Sequence, residues 1–148
     1  MLEVYPMTPG HEHWEKLITY ADACSWKAGP VLAKRMRQGE FLPWERVFIL
    51  LDGGEVAGYC TLFEKDELIE GYDYAPFIGF VFIDEKFRGQ RLSQFLIRCV
   101  LAYARERTFP KVYLMSGEQG LYEKYGFQKI GEFPTIYGTT DQLFTINT

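Results

Sequence analysis

The chain has 148 residues and a formal net charge of −4, with 47% hydrophobic and 24% charged residues. This length fits one ordinary domain, and the composition is typical of a globular protein with a well-packed core. An acidic balance disfavours a nucleic-acid surface, and no apolar run approaches the roughly 18 residues that a membrane span needs. We therefore expect a single domain over residues 1–148 that binds neither nucleic acid nor membrane.

The cysteines and histidines bear on the compartment and on metal binding. Cys24, Cys60 and Cys99 are far apart and form no C-x-x-C pair, which favours a reducing compartment over disulfides or zinc. His11 and His13 are the only histidines, and no acidic cluster nearby supplies further metal ligands. The N-terminus has no basic segment followed by an apolar one, so no secretory signal is predicted. The expectation is a cytoplasmic protein without a metal site.

The first half of the chain predicts a short strand, two helices and a β-hairpin. Helical spacing of Trp14, Leu17 and Ala21 indicates the first helix, and the turn residues at 52–55 indicate the hairpin. The predicted bounds are Leu2–Tyr5, Glu12–Cys24, Val31–Gln38, Arg46–Leu51 and Val56–Phe63.

The second half predicts a strand, a long helix and a strand, followed by a short helix and two final strands. The acidic segment Glu64–Tyr74 is predicted as a strand end plus a loop. A helical crossover makes its two flanking strands parallel, whereas the earlier hairpin is antiparallel. We therefore predict a mixed sheet with helices on its faces. The bounds are Phe77–Asp84, Leu92–Arg107, Lys111–Met115, Gly120–Tyr125, Phe127–Phe133 and Leu143–Asn147.

The junction between strand and long helix, Phe87–Ser93, is the clearest candidate binding site. The first turn of a helix presents unpaired N–H groups with a partial positive charge, which suits an anion. Gly89 allows close approach to the backbone, and Arg88 and Arg91 add forked donors for phosphate. The pattern predicts a phosphate or pyrophosphate on the amides of about Gly89 to Ser93. The alternative is a capped helix start with two solvated arginines.

Two stretches resemble motifs of the GNAT (GCN5-related) N-acetyltransferases. The run FIGFVFIDEKFRGQRLSQFLI is similar to the acetyl-CoA signature of that family, in which an aromatic-Arg-Gly-x-Gly-x-Gly/Ala turn enters a helix. Phe87, Arg88 and Gly89 match, whereas Arg91 and Ser93 stand at positions that the family fills with glycine or alanine. The run GLYEKYGFQKIGEF resembles its closing motif. The resemblance covers the whole chain in element order and is weakest up to about Trp44.

The resemblance implies an α/β GNAT acyl-CoA N-acyltransferase fold. That fold has a mixed central sheet of about six or seven strands with an antiparallel N-terminal part, a splayed central parallel pair and about four flanking helices. It implies acetyl-CoA as cosubstrate, with its pantetheine arm paired to the backbone of Phe82 and Ile83. The pyrophosphate would lie on Arg88, Gly89, Gln90, Arg91, Leu92 and Ser93. Since many relatives are dimers, it also implies a possible homodimer.

The resemblance further implies direct attack of a primary amine on the thioester in a ternary complex. Tyr122 matches the general acid of the family, with Tyr125 as its rival and expected to pack. The amine must lose a proton, because a lysine-type ammonium has a pKa near 10.4. The family often places an acid on the fourth strand, but this strand has none before Asp84. Asp73 is the candidate base, and a water-mediated route is an equal alternative.

Several classes of acceptor amine are compatible with the sequence. A small-molecule amine is expected, with a protein N-terminus or a lysine side chain as alternatives. Trp26, Phe41 and Trp44 could line its pocket or belong to the core, and Glu64–Asp73 could attract a cation or be a solvated loop. Two other readings stay open: a non-catalytic CoA or acyl-CoA sensor of the same fold, and an unrelated α/β protein that binds another phosphate ligand.

Overall fold

A computed structural model describes residues 1–148 and contains one seven-stranded mixed sheet flanked by four α-helices. The strands are β1 (Leu2–Met7), β2 (Arg46–Asp52), β3 (Glu55–Phe63), β4 (Phe77–Ile83), β5 (Lys111–Ser116), β6 (Gln128–Pro134) and β7 (Thr140–Asn147). The helices are α1 (Trp14–Ala23), α2 (Gly29–Gln38), α3 (Leu92–Glu106) and α4 (Leu121–Lys124). Spatial order is β1-β2-β3-β4-β5-β7-β6, and only β4 and β5 run parallel. The predicted mixed sheet is confirmed.

Differences from the predicted bounds are small and have local causes. Strand β1 continues through Pro6 to Met7, whereas the prediction ended it at Tyr5. Because β1 is the edge strand, a proline there need not remove a ladder hydrogen bond. Strand β7 begins at Thr140, three residues before the predicted start, because it pairs with β6 from its first residue. None of the helices is both long and apolar enough to cross a membrane.

Two hydrophobic clusters lie on opposite faces of the sheet. Helix α3 buries Leu96 and Val100 against one face, and α1 and α2 bury Leu17 and Leu32 against the other. Strands β2 and β3 are therefore covered on both sides. This double burial explains why they read as nearly continuous apolar runs rather than as alternating ones.

The sheet is split between its two parallel strands. Strands β4 and β5 pair only at Phe77–Tyr113 and Ile78–Leu114. Beyond that point β4 carries an extra residue relative to β3, and Phe80 has a φ of 50°. A bulge of this kind bends its strand. Strand β4 therefore turns away from β5, which confirms the predicted splayed pair.

Residues 64–76, which connect β3 to β4, form a loop that we call the crossing loop. It reaches from the β3–β4 half of the sheet to the turn between β6 and β7 in the other half. Ile136 N donates to Glu67 O over 2.8 Å, and Ile69 N donates to Pro134 O over 3.2 Å. An isolated bridge pairs Leu68 with Thr135. These contacts join the two halves of the split sheet.

Candidate active site

The split between β4 and β5 opens into a cleft of about 1650 Å³. One end, which we call the helix end, is formed by the junction between β4 and α3. The other, the loop end, is formed by the α1–α2 connection, α2, the crossing loop and the β6–β7 turn. Leu92 at the helix end belongs to the core on the α3 side, and Phe82, next to the loop end, belongs to the core on the α1–α2 side. The cleft thus connects the two faces of the sheet.

The helix end has the geometry of an anion site. Gly89 has a φ of 86°, and a Cβ built on it would meet no atom within 4 Å. Arg91 is the N-cap residue of α3, in left-handed backbone geometry, and no side chain caps the helix. The first-turn amides are therefore available to a ligand. The left-handed geometry also explains why the related motif has glycine at this position, since a side chain there costs roughly 1 kcal/mol.

The predicted cosubstrate residues are only partly gathered at this end. Arg88, Gly89, Arg91, Leu92 and Ser93 line the cleft, whereas Gln90 does not. Arg88 Nε donates to Ile83 O over 3.0 Å, and its guanidinium lies 5.5 Å from the centre of the Phe82 ring. Arg88 thus lies along the end of β4 instead of over the first turn of α3.

The open edge of β4 presents the backbone carbonyl of Ile83 and not that of Phe82. Phe82 O lies 2.5 Å from the position of a Cβ built on Gly58, so this carbonyl faces β3. Successive backbone carbonyl groups of a strand point to opposite edges. Ile83 O therefore points to the open edge of β4, where Arg88 Nε donates to it. Of the two residues expected to pair with pantetheine, Ile83 has its carbonyl in position to do so.

Helix α4 places Tyr122 in the wall of the cleft. Its ring is buried against Phe127 and Phe144, at centroid distances of 5.7 and 5.8 Å. Its hydroxyl makes no hydrogen bond within the protein, whereas the Tyr125 hydroxyl lies 2.7 Å from Ser93 Oγ. Burial, with a smaller effect of Glu118, raises the pKa of Tyr122 well above its usual value. The phenol is therefore neutral near pH 7 and able to donate a proton.

The crossing loop brings a carboxylate onto the fourth strand. A Cβ built on Gly79 would lie 2.7 Å from Asp66 Oδ1, so the carboxylate fills the space that a side chain of β4 would take. The hydroxyl of Thr61, which is buried and has no hydrogen-bond partner, lies 3.3 Å from the same point. Burial raises the pKa of Asp66 to about 6, against smaller lowering effects of the Glu67 backbone N–H and of Arg35. Asp66 is thus a half-buried base in the cleft that is ionised near pH 7.

Sequence reasoning named Asp73 as the candidate base and did not consider Asp66. Asp73 also lies in the crossing loop, but it is exposed and does not line the cleft. The signal that could have identified Asp66 is Gly79, which interrupts a strand of bulky apolar residues. A glycine inside a strand often marks the close approach of another group.

A second carboxyl in the crossing loop is paired with an acid of β7. Burial is the main cause that raises the pKa of Glu67 to about 8, and the adjacent carboxyl group of Asp141 raises it further. Two carboxyl groups in contact keep one proton between them, because both ionised forms would repel each other. The pair therefore carries about one negative charge at neutral pH.

The Glu67–Asp141 pair predicts a pH-dependent stability. Because the pKa of Glu67 is raised above its unfolded value, its effect on stability becomes more unfavourable as pH increases towards about 8. We expect Glu67→Gln to melt at a higher temperature than the parent protein at pH 9 and at a similar temperature at pH 5. Thermal melts at the two pH values test this. A lower melting temperature for Glu67→Gln at pH 9 would contradict it.

Of the three aromatic residues considered for an acceptor pocket, only Trp26 lines the cleft. Its ring stacks on Phe82 with centroids 5.7 Å apart and planes 4° apart. Phe41 packs edge-on against Trp14 at 5.6 Å, and Trp44 packs against Phe109 at 4.8 Å. Phe41 and Trp44 are therefore packing residues, as the alternative reading proposed.

Comparison with known proteins gives one family match. The model of the acetyltransferase (GNAT) family matches residues 11–127. No curated protein matches the chain in sequence.

Solved structures share the fold at low sequence identity. A GNAT family acetyltransferase from Elizabethkingia anophelis with acetyl-CoA bound has 19% identity and a TM-score of 0.67, covering 99% of this chain and 98% of its own. An aminoglycoside 6'-acetyltransferase type Ii has 13% identity and a TM-score of 0.75, covering 98% and 96%. An aminoglycoside 6'-N-acetyltransferase complexed with coenzyme A has 12% identity and a TM-score of 0.70, with the same coverage.

Proposed function

Because the chain belongs to the acetyltransferase (GNAT) family, we propose that it transfers the acetyl group of acetyl-CoA to a primary amine of a small molecule. One observation carries this proposal. Asp66 and Tyr122 line the same cleft, and their environments set the pKa of one near 6 and that of the other well above 10. Two groups held this far apart in pKa suit a general base and a general acid at neutral pH.

The residues at the helix end fit the pyrophosphate of CoA. The uncapped amides from Gly89 to Ser93 would bind its oxygens, and the Arg91 side chain would add a positive charge. The pantetheine arm would lie along the open edge of β4, where Ile83 O can accept a hydrogen bond. Arg88 Nε holds that carbonyl in the free protein, so Arg88 would release it and turn towards the phosphates.

The proposed reaction moves three protons. The acceptor ammonium gives one proton to the Asp66 carboxylate, and the free amine attacks the thioester carbonyl. As the new C–N bond forms and the C–S bond breaks, the Tyr122 hydroxyl donates its proton to the departing thiolate, and the nitrogen of the new amide releases its second proton through water to the Tyr122 phenolate, which restores the phenol. Asp66 thus takes the role for which the sequence suggested Asp73. Its carboxylate lies where an acid on the fourth strand would place one.

The CoA site is tested by one pair of substitutions at the same position. We expect Gly89→Asp to weaken acetyl-CoA binding about ten-fold or more, because a carboxylate against the pyrophosphate is repelled. Gly89→Asn is the matched control, since asparagine has the same size and tolerates the same left-handed backbone without the charge. Titration calorimetry of both variants gives the comparison. Equal loss of binding in both would argue against a pyrophosphate at this turn.

A non-catalytic CoA sensor is the main rival to this proposal. Both readings predict acetyl-CoA binding, so turnover separates them. Release of CoA thiol should depend on added amine and give an acetylated product by mass spectrometry. Tight acetyl-CoA binding without product from any amine in a broad panel would favour the sensor.

A further inference from the structure

Three large apolar side chains are exposed at the loop end of the cleft. Val31 of α2 is 56% exposed, and Ile136 and Tyr137 of the β6–β7 turn are 56% and 71% exposed. All three line the cleft. Apolar groups gathered at one opening, with polar groups around them, are typical of a binding surface. We call these three residues the apolar rim.

Aromatic side chains continue this apolar surface into the cleft. Trp26 is supported from behind by Phe82, and its ring lies 6.4 Å from that of Phe80 in an edge-on arrangement. Trp26 and Phe80 line the same space as Asp66. An apolar group that enters past the rim therefore has an aromatic wall beside it on the way to the carboxylate.

The charges at this end suit one ammonium group and not several. Asp66 is the carboxylate that lies against Gly79 of β4, whereas burial and the neighbouring carboxyl groups raise the pKa of Glu67 to about 8. Lys27, Arg35 and Lys65 line the same end of the cleft and oppose these acids. A second ammonium on the acceptor would therefore meet positive side chains as often as negative ones.

We propose that the acceptor is a monoamine with an apolar, ring-sized body, as in an arylalkylamine, and not a polycation. This inference rests on the proposed function and names the substrate class of the same site. The ammonium lies against Asp66, and the body lies between Trp26 and the apolar rim. This acceptor class would distinguish the chain from the aminoglycoside acetyltransferases that share its fold.

Kinetics with four amines test the class of acceptor. With acetyl-CoA saturating, we expect 2-phenylethylamine to exceed ethylamine in kcat/KM by about 100-fold, since each added apolar group is worth about ten-fold or more in a matching pocket. Spermidine and kanamycin should be poorer than 2-phenylethylamine. A higher kcat/KM for either polycation would overturn the proposal.

Substitutions at the apolar rim test whether its residues contact the apolar body of the acceptor. Val31→Ser combined with Tyr137→Ser should raise the KM for 2-phenylethylamine about ten-fold and leave the KM values for ethylamine and acetyl-CoA unchanged. Leu42→Ser is the matched control, because Leu42 is 40% exposed but lies outside the cleft. An unchanged KM for 2-phenylethylamine in the double variant would overturn the proposal. A changed sedimentation coefficient with unchanged KM would assign the rim to contact with a second copy instead.

A binding measurement separates this inference from the proposed function. Calorimetry of 2-phenylethylamine and of spermidine with CoA-loaded protein needs no turnover. Preferential binding of 2-phenylethylamine, lost in the double variant, would uphold the acceptor class even if no product forms. Preferential binding of spermidine would overturn it whether or not the enzyme turns over.

Discussion

Asp66→Asn is expected to lower kcat/KM for the acceptor amine by about 100- to 1000-fold, within the range that a general base contributes. The amide keeps the size of the side chain above Gly79 but cannot accept the ammonium proton. Binding of acetyl-CoA should not change, because Asp66 lies away from the helix end. In the parent enzyme kcat/KM should rise with pH through about 6, as the carboxylate ionises. That rise should be absent in Asp66→Asn.

Stability measurements distinguish this loss from misfolding. The folded-state pKa of Asp66 lies above its ordinary value, so ionisation of Asp66 lowers stability between about pH 4 and pH 6. Asp66→Asn should therefore melt at the same temperature as the parent protein or higher at pH 7. A variant that retains full activity would remove Asp66 from the mechanism and return the role to a water chain or to Asp73.

Moving the carboxylate from the crossing loop to the strand is the sharper test. In Asp66→Ala the space above Gly79 is vacated, and a Gly79→Asp side chain would stand where the Asp66 carboxylate was. We expect the double variant to recover about ten-fold or more of the activity lost in Asp66→Ala, the lower end of the proton-transfer contribution. Gly79→Asn in the same background is the control, since it fills the space without a base. Equal activities of the aspartate and asparagine variants would contradict the assignment.

Tyr122→Phe is expected to lower kcat about 100-fold while leaving the dissociation constant of acetyl-CoA unchanged, since proton transfer to the leaving group contributes at least this much. The hydroxyl makes no hydrogen bond within the protein, so its removal should leave thermal stability nearly unaltered. Rapid-quench measurement of the first turnover shows whether the chemical step is the one that slows.

Tyr125→Phe is the matched control for this prediction. It removes a phenol three residues away that is already hydrogen-bonded to Ser93. Its activity should stay within about ten-fold of the parent enzyme, because only positioning of the helix end is disturbed. A large loss in Tyr125→Phe with a small loss in Tyr122→Phe would transfer the role of general acid to Tyr125.

The order of elements and the split sheet could be predicted because they depend on local patterns. Apolar spacing marks α3, turn residues mark the hairpin, and the strand-to-helix junction repeats a known motif. The positions of Arg88 and Asp66 depend instead on contacts distant in sequence. Arg88 bonds Ile83 because β4 lacks a neighbour there, and Asp66 reaches Gly79 because the crossing loop is attached to the β6–β7 turn.

The crossing loop has a consequence for how ligands come and go. A sheet split between two strands could open like a hinge, but here the halves are fastened by the short β4–β5 ladder and again by the contacts of Glu67 and Ile69 with the β6–β7 turn. The width of the slot is therefore fixed, and neither ligand has to spread the protein to enter. On the proposed function, the thioester arm would approach from the side of α3 and the amine from the side of α2. Because the two ligands would enter at different ends of the cleft, we expect each to bind without the other.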